Sequence, residues 1–226
     1  MLQFSIVEQV ILAVFLLSGI AFFLHHLLLR LKIVLKGKSD FSVDELPKRI
    51  VRVFDEVILH KKVASGNRKS AGILHALVMY GFIFFGLITI NHFGMAYGFP
   101  IFSESFRHTY FLIFGAPWAI LCTIGILGLA YRRFVIKPEA LGKFSSTSAL
   151  VSVFIVTLMT TYLIDELHIL SGAAEKFNWW LHSGVIGGFL FLIPQSKHMH
   201  LVLSPFNIFL RPFEVPNHGA IPIDME

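Results

Sequence analysis

Five histidines in or beside long apolar stretches are the residues of this sequence best suited to chemistry: His75, His92, His182, His198 and His200. Imidazole is the side chain that most often binds metal ions and haem iron. His92 follows His75 by 17 residues, about 25 Å along a helix, and His198 and His200 follow His182 by 16 and 18. Two antiparallel helices would thus each offer a histidine at each end. The pattern predicts an inner pair, His75 with His200, and an outer pair, His92 with His182, as two stacked b haems would require.

The angular positions along a helix favour His200 over His198 as the inner partner. Eighteen residues at about 100° each complete five turns from His182 to His200, whereas 16 residues place His198 about 160° away. Pro194 lies between them and is a position for a kink. The step from His75 to His92 ends about 100° off a shared face, so the outer pair is less well aligned. We expect one or two haems, the inner one on His75 and His200.

Asp165, Glu166 and His168 end the fourth apolar stretch close to the expected depth of the outer pair. Titratable groups at this depth could exchange protons with a quinone, although a simple polar end to a membrane helix accounts for them equally well. Trp179 and Trp180 are expected at the lipid–water interface, where tryptophan is enriched. The other histidines are expected among lipid headgroups or in water. The headgroup set is His25, His26 and His198, and the water set is His60, His108 and His218.

The elements that position these residues are long apolar helices. The chain has 226 residues, of which 55% are hydrophobic and only 15% charged, and about 20 apolar residues suffice to cross a bilayer. The composition excludes a soluble enzyme and predicts an all-α integral membrane bundle of five transmembrane helices within residues 1–210. The five candidate spans are Val7–Leu29, Ala71–Asn91, Tyr110–Ala130, Ala149–Leu163 with its extension to Leu167, and Phe177–Ile193.

Cysteine content limits the redox centres that this chain can hold alone. Cys122 is the single cysteine, and a disulfide, an iron–sulfur cluster or a structural zinc site each needs two to four thiolates. A redox centre within this chain must therefore use other ligands, and histidine is the abundant one.

Basic residues predict the orientation, because Lys and Arg accumulate on the cytoplasmic side. Residues 30–70 carry eleven, residues 131–148 carry four and the segment after Pro194 carries two, against only Arg107 and Lys176 on the opposite side. The chain is therefore expected to be a multi-pass protein of a prokaryotic cytoplasmic (inner) membrane. Its N-terminus is expected outside and its C-terminus in the cytoplasm. The lipid bilayer accounts for the net charge of +5 without a nucleic-acid partner.

The cytoplasmic connector, residues 30–70, contains a predicted amphipathic helix over residues 43–60. It starts near Pro47 and has an apolar stripe that favours docking on lipid or a partner. The stripe consists of Ile50, Val53, Phe54, Val57 and Ile58. Residues 211–226 are proline-rich and are expected to form an extended cytoplasmic tail.

Three stretches carry a family resemblance: Gly72-Ile-Leu-His-Ala, Trp179-Trp-Leu-His-Ser-Gly, and Pro194-Gln-Ser-Lys-His-Met-His-Leu-Val-Leu-Ser-Pro-Phe-Asn207. They resemble the nitrate reductase gamma subunit family of membrane b-type cytochromes, and more closely its heterodisulfide-reductase-related branch. The resemblance implies that His75, His182 and His200 are haem ligands. It further implies a cytoplasmic iron–sulfur protein or fused domain, which residues 219–226 would approach. The family's second ligand falls at Phe85 here, and the nearest later histidine is His92.

The expected function is that of a membrane b-type cytochrome passing electrons between a cytoplasmic iron–sulfur protein and the quinone pool. It would be the quinone-reactive subunit of a membrane oxidoreductase, with haem b as cofactor and menaquinone as the expected quinone. With two haems, the quinone site is expected near Asp165, Glu166 and His168. With one haem, it is expected near Lys69, His75 and His198. The alternatives are a haem-free membrane anchor for a soluble redox partner and a small transporter with a proton relay.

Overall fold

A computed structural model of the chain describes residues 2–34, 36, 45–61, 69–211 and 213. Within these ranges every regular element is helical, so the all-α prediction is confirmed. The helices are α1 Ile6–Val34, α2 Leu46–Val53, α3 Lys69–Ala96, α4 Glu104–Tyr110, α5 Ala116–Tyr131, α6 Ser146–Glu166, α7 Gly172–Leu192 and α8 His200–Leu210. Short π-helical turns accompany them: Phe54–Ile58 extends α2, Phe111–Gly115 joins α4 to α5, and Arg132–Ile136 extends α5.

Four helical segments of the described chain are long and apolar enough to cross a membrane. They are Ile6–Ile33, Lys69–Ala96, Glu104–Ile136 and Ser146–Glu166, and they contain the first four predicted spans except for Leu167 at the end of the fourth. The predicted fifth span falls on α7, a 21-residue helix whose first turns carry Glu175, Lys176 and Asn178. The structure is thus compatible with a multi-pass membrane protein, and the count of five spans stays a prediction.

Side-chain packing joins the long helices in the order α3, α5, α6, α7 and α1. A buried apolar core connects α3 to α7, and its members include Val78, Cys122, Ile155 and Phe189. α3 and α7 also meet through rings, since the Phe82 and Phe189 centroids are 5.9 Å apart. These two helices carry the histidines of the inner and outer pairs, except that His200 lies beyond α7.

The close approach of α3 and α5 requires glycine at position 125. A Cβ atom on Gly125 would lie 2.8 Å from the backbone oxygen of Leu74 and 3.1 Å from the Cβ of Leu77. Backbone cannot move aside as a flexible side chain can, so we expect Gly125→Ala to destabilise the folded state by about 1–3 kcal/mol. Gly86→Ala is the matched control, because nothing lies within 4 Å of its added Cβ. Thermal unfolding in detergent, followed by circular dichroism, measures both, and equal melting temperatures would contradict this packing.

The turn between α7 and α8 is fixed by Pro194 and Arg30. Proline cannot donate a backbone hydrogen bond, and α7 ends just before it, at Leu192. The Arg30 Nη2 of α1 donates to the carbonyl oxygen of Pro194 at 2.7 Å. A short 3₁₀ turn, Lys197–Met199, then leads into α8. This turn sets the direction from which His200 enters the bundle.

The connector helix α2 docks on α8 through its basic side chains. Arg49 is only 1% exposed, and its Nη1 donates to the carbonyl oxygens of Phe209 and Arg211 at 2.9 and 3.3 Å. Arg52 lies over the ring of Phe213, 3.5 Å from its centroid. The predicted apolar stripe is divided, with Ile50 and Phe54 exposed and the other three members half-buried. The basic side of this helix therefore faces protein, and docking of its apolar stripe on lipid or a partner stays a prediction.

Two of the predicted segments lie partly outside the described residues. For the connector, the structure describes 30–34, 36, 45–61 and 69–70, and for the predicted tail only 211 and 213. The expected approach to an iron–sulfur partner at 219–226 falls outside them.

Candidate functional site

The rings of His75 and His200 face each other at one end of the bundle. His75 lies in the second turn of α3 and His200 is the first residue of α8. Their ring centroids are 5.9 Å apart, with 36° between the ring planes. The expectation that one helix carries His182 and His200 on a shared face is wrong, because α7 ends at Leu192. The inner pair nevertheless forms, since the turn at Pro194 returns the chain toward α3.

Both inner rings are held through Nδ1. The Nδ1 of His200 donates to the carbonyl oxygen of Lys197 at 2.9 Å, and the Nδ1 of His75 lies 3.3 Å from the Nε2 of His60. Within the described part of the chain, neither the Nε2 of His75 nor the Nε2 of His200 has a hydrogen-bond partner. A hydrogen bond at one imidazole nitrogen fixes the tautomer and leaves the other lone pair available to a metal ion. The inner pair therefore presents two free nitrogen donors.

A cavity of about 370 Å³ opens beside the inner pair. This volume lies in the range of small-molecule and cofactor pockets, which are mostly apolar with a few polar groups. His75, His198 and His200 line it together with Arg133 and Lys197. Its apolar wall comes from α3, α5, α6 and α7, and includes Val78, Met79, Phe82, Ile126, Ile155, Phe189 and Ile193. The cavity suits an apolar molecule that carries negative charge at one edge.

Arg133 brings an unsatisfied donor to this cavity. Its buried Nε has no hydrogen-bond partner among the described residues, and its Nη2 makes only long contacts of 3.4 Å to the carbonyl oxygens of Leu141 and Lys143. A buried guanidinium is normally fully hydrogen-bonded or paired with an anion. The side chain is therefore suited to receive a carboxylate.

His92 and His182 meet at the opposite end of the bundle, with ring centroids 4.9 Å apart. The Nδ1 of His182 is 2.7 Å from the Oγ1 of Thr161, so its Nε2 is unengaged among the described residues. The Nε2 of His92 is 3.0 Å from the Oγ of Ser183. The same His92 ring stacks on Trp179 at 4.8 Å. The outer pair thus comes together, but only His182 presents a free Nε2.

Trp179 lies inside the bundle. It is 4% exposed, stacks on His92, and lies 4.3 Å from the Phe4 ring at an angle of 49°. The expectation that it faces the lipid–water interface is wrong, because its ring is buried against the rings of Phe4 and His92. Trp180 is half-buried beside it.

The polar residues at the end of α6 form a separate group. The positive charge of Arg107 acts on both Asp165 and Glu166, which are half-buried. His168 is exposed, has a left-handed backbone with φ of 53°, and hydrogen-bonds the carbonyl of Glu166 at 3.0 Å. In the described ranges, no hydrogen bond or ring contact joins these residues to the outer histidine pair. The structure thus brings Asp165 and Glu166 to Arg107.

His198 lies next to His200 but is held differently. Its Nδ1 is 3.2 Å from the Oγ of Ser196, and its ring centroid is 6.3 Å from that of His200. Burial, reinforced by the nearby charge of Lys197, lowers the pKa of His198 to about 4. His198 is therefore uncharged at neutral pH.

A known protein shares sequence with this chain: the probable iron-sulfur-binding oxidoreductase FadF of Bacillus subtilis (strain 168). The identity is 29% over 215 residues, which cover 82% of this chain and 30% of the relative. The chain thus spans less than a third of that protein's length. No protein-family profile matches the chain, and no solved structure matches it.

His60 belongs to this site, although the sequence alone places it in water. It is only 5% exposed and its ring lies 5.5 Å from that of His75. The expectation of a solvated His60 is wrong, because the segment after α2 folds back onto α3. No spacing in the sequence signals this, since the contact depends on the path of the connector. Thr161, which holds His182, is likewise a hydroxyl on an apolar helix with no distinguishing motif.

Proposed function

We propose that this chain is a membrane b-type cytochrome domain that passes electrons between a cytoplasmic iron–sulfur protein and the membrane quinone pool. The observation that carries the proposal is the inner pair, whose two free Nε2 atoms lie beside an apolar cavity with Arg133 and Lys197 at its edge. The similarity to an oxidoreductase named as iron–sulfur-binding supports the redox class and the kind of partner.

The geometry of the inner pair fits one haem. An imidazole nitrogen binds a metal ion at about 2 Å, so two rings on opposite sides of one ion have centroids roughly 6 Å apart. The 5.9 Å separation of His75 and His200 agrees with this requirement. The outer pair does not fit as it stands, because its rings are 4.9 Å apart and the Nε2 of His92 is hydrogen-bonded to Ser183. We therefore propose one haem and route no step through the outer pair.

The residues around the cavity would hold such a group without covalent attachment. His75 and His200 would supply the two nitrogen ligands, and the apolar side chains of the wall would exclude water. Arg133 and Lys197, which line the cavity, would pair with the two carboxylates at the edge of a haem. A bound haem supplies a one-electron redox centre whose potential depends on its ligands and burial. The protein thus selects the ligands and the polarity around the centre.

Electron entry and the quinone reaction are both proposed at the cytoplasmic side. The docked helices α2 and α8 lie at this end, and Arg49, Arg52 and Arg211 give it positive charge. A quinone, expected to be menaquinone, would react next to the haem near His198, which lines the same cavity. Asp165, Glu166 and His168 stay predictions for a quinone site on the outer side, and they belong to the two-haem alternative.

Haem content tests the proposal directly. We expect the full chain, expressed with haem supply and purified in detergent, to show a b-type spectrum and one haem per chain by pyridine haemochrome. We expect His92→Ala to keep that haem, because the His92 Nε2 is already bonded to Ser183. Two haems in the native protein, with one lost in His92→Ala, would instead support the two-layer arrangement. A folded protein without haem would contradict the proposal and support the haem-free anchor.

A further inference from the structure

The connector places His60 next to the Nδ1 of the His75 ring. The Nε2 of His60 lies 3.3 Å from the Nδ1 of His75, and the centroid of the same His75 ring is 5.9 Å from that of His200. His200 donates the corresponding hydrogen bond to the backbone carbonyl of Lys197. His75 lies inside α3, and among the described residues the hydrogen-bond partner of its Nδ1 comes from another segment. His60 is that partner.

The backbone at His60 is held in an unusual conformation. Its φ of 51° lies in the left-handed region, in which many helices end and which costs a non-glycine residue of the order of 1 kcal/mol. Two backbone bonds close the turn around it, from Leu59 to Phe54 at 2.9 Å and from Lys61 to Asp55 at 3.2 Å. Lys61 and Asp55 also form a salt bridge at 2.6 Å. The local structure therefore specifies where this ring points.

The same segment is fastened to the bundle at two points that precede His60. Tyr80 of α3 donates its hydroxyl hydrogen bond to the carbonyl oxygen of Ile58, and its ring lies 6.0 Å from that of His60. At the other end of the segment, Arg49 bonds the last turn of α8, the helix that begins with His200. The connector is thus attached to the helices of both inner histidines. A solvated linker would need none of these contacts.

We propose that His60 is a positioning residue for His75, which accepts the Nδ1–H hydrogen bond and directs the Nε2 of His75 into the cavity. This role rests on the proposed haem site. Partners that hydrogen-bond a metal-binding imidazole orient its ring and raise its basicity, and their loss typically costs 10–100-fold in metal affinity. Because the Nε2 of His60 accepts this hydrogen bond, the proton of the His60 ring is on its Nδ1. That atom is buried and has no partner among the described residues.

The test compares His60→Gln with His60→Leu in the full chain. Both variants carry the same left-handed backbone and a side chain of similar length, but only glutamine offers an oxygen to the Nδ1 of His75. We expect the leucine variant to lose haem about 10–100-fold more readily to apomyoglobin. Its midpoint potential should rise, because a less basic ligand stabilises the oxidised iron less. The glutamine variant should restore both quantities toward those of the native protein.

The readouts separate a positioning role from a merely structural one. The low-temperature electron paramagnetic resonance spectrum of the oxidised protein reports ligand orientation and basicity, and it should change in the leucine variant and not in the glutamine variant. Equal spectra, potentials and haem loss in the native protein and both variants would overturn the role of His60 and leave the haem site intact. Equal damage in both variants would also overturn it. A native protein without haem would instead overturn the proposed function.

Discussion

Replacing His75 with alanine should leave the purified protein with at most about a tenth of the haem that the native protein carries. A b haem is held by its ligands and pocket alone, and loss of a mere hydrogen-bond partner of a ligand already costs about 10–100-fold. Loss of the ligand itself should cost at least as much. The remaining partner, His200, is exposed and has few contacts to retain a haem alone. Pyridine haemochrome divided by protein from amino-acid analysis measures the ratio.

Two controls make this result interpretable. His108→Ala removes an exposed histidine on α4 and should keep the full haem content. His75→Gly, purified with imidazole in the buffer, should recover part of the b-type spectrum, because free imidazole can occupy the space of the missing ring. Full haem in His75→Ala would exclude the inner pair as the site and shift attention to His92 and His182. Recovery with imidazole would show that the variant chain is folded.

The two-layer arrangement of histidines could be predicted because it depends only on helix rise and chain reversal. Spacings of 17 and 18 residues put His75 near His200 and His92 near His182, and the rings are found 5.9 and 4.9 Å apart. The angular argument was less reliable, because it assumed one continuous helix through Pro194. The chain instead leaves α7 at Leu192 and places His200 at the start of α8.

The partners of the histidines could not be predicted, because they come from segments whose position depends on tertiary packing. His60 reaches His75 only after α2 docks on α8, and the buried Arg49 that fixes this docking has the sequence context of an ordinary surface residue. The same holds for Ser183 on His92 and Thr161 on His182. Hydroxyls are common in apolar helices, so neither stands out. Because of these contacts, among the described residues both Nε2 atoms are free in the inner pair, whereas only the Nε2 of His182 is free in the outer pair.

Replacing His200 with alanine should abolish haem binding as severely as His75→Ala, whereas His198→Ala should retain the haem. The two histidines are two residues apart and line the same cavity, so the comparison is closely matched. Only the His200 ring faces His75, with its Nδ1 bonded to Lys197 and its Nε2 free. Haem per chain and the reduced-minus-oxidised spectrum of each variant measure the difference.

The reaction with quinone should show a separate effect of His198→Ala. His198→Ala keeps the haem, so dithionite should still reduce it fully, but its reoxidation by a soluble menaquinone analogue should slow. The reason is that His198 is the histidine of the cavity that is not proposed as a haem ligand, and its ring centroid is 6.3 Å from that of His200. Loss of haem in His198→Ala with full haem in His200→Ala would reverse the ligand assignment. Retention of haem and an unchanged reoxidation rate in His198→Ala would keep the ligands and place the quinone elsewhere, with Asp165 and Glu166 as the next candidates.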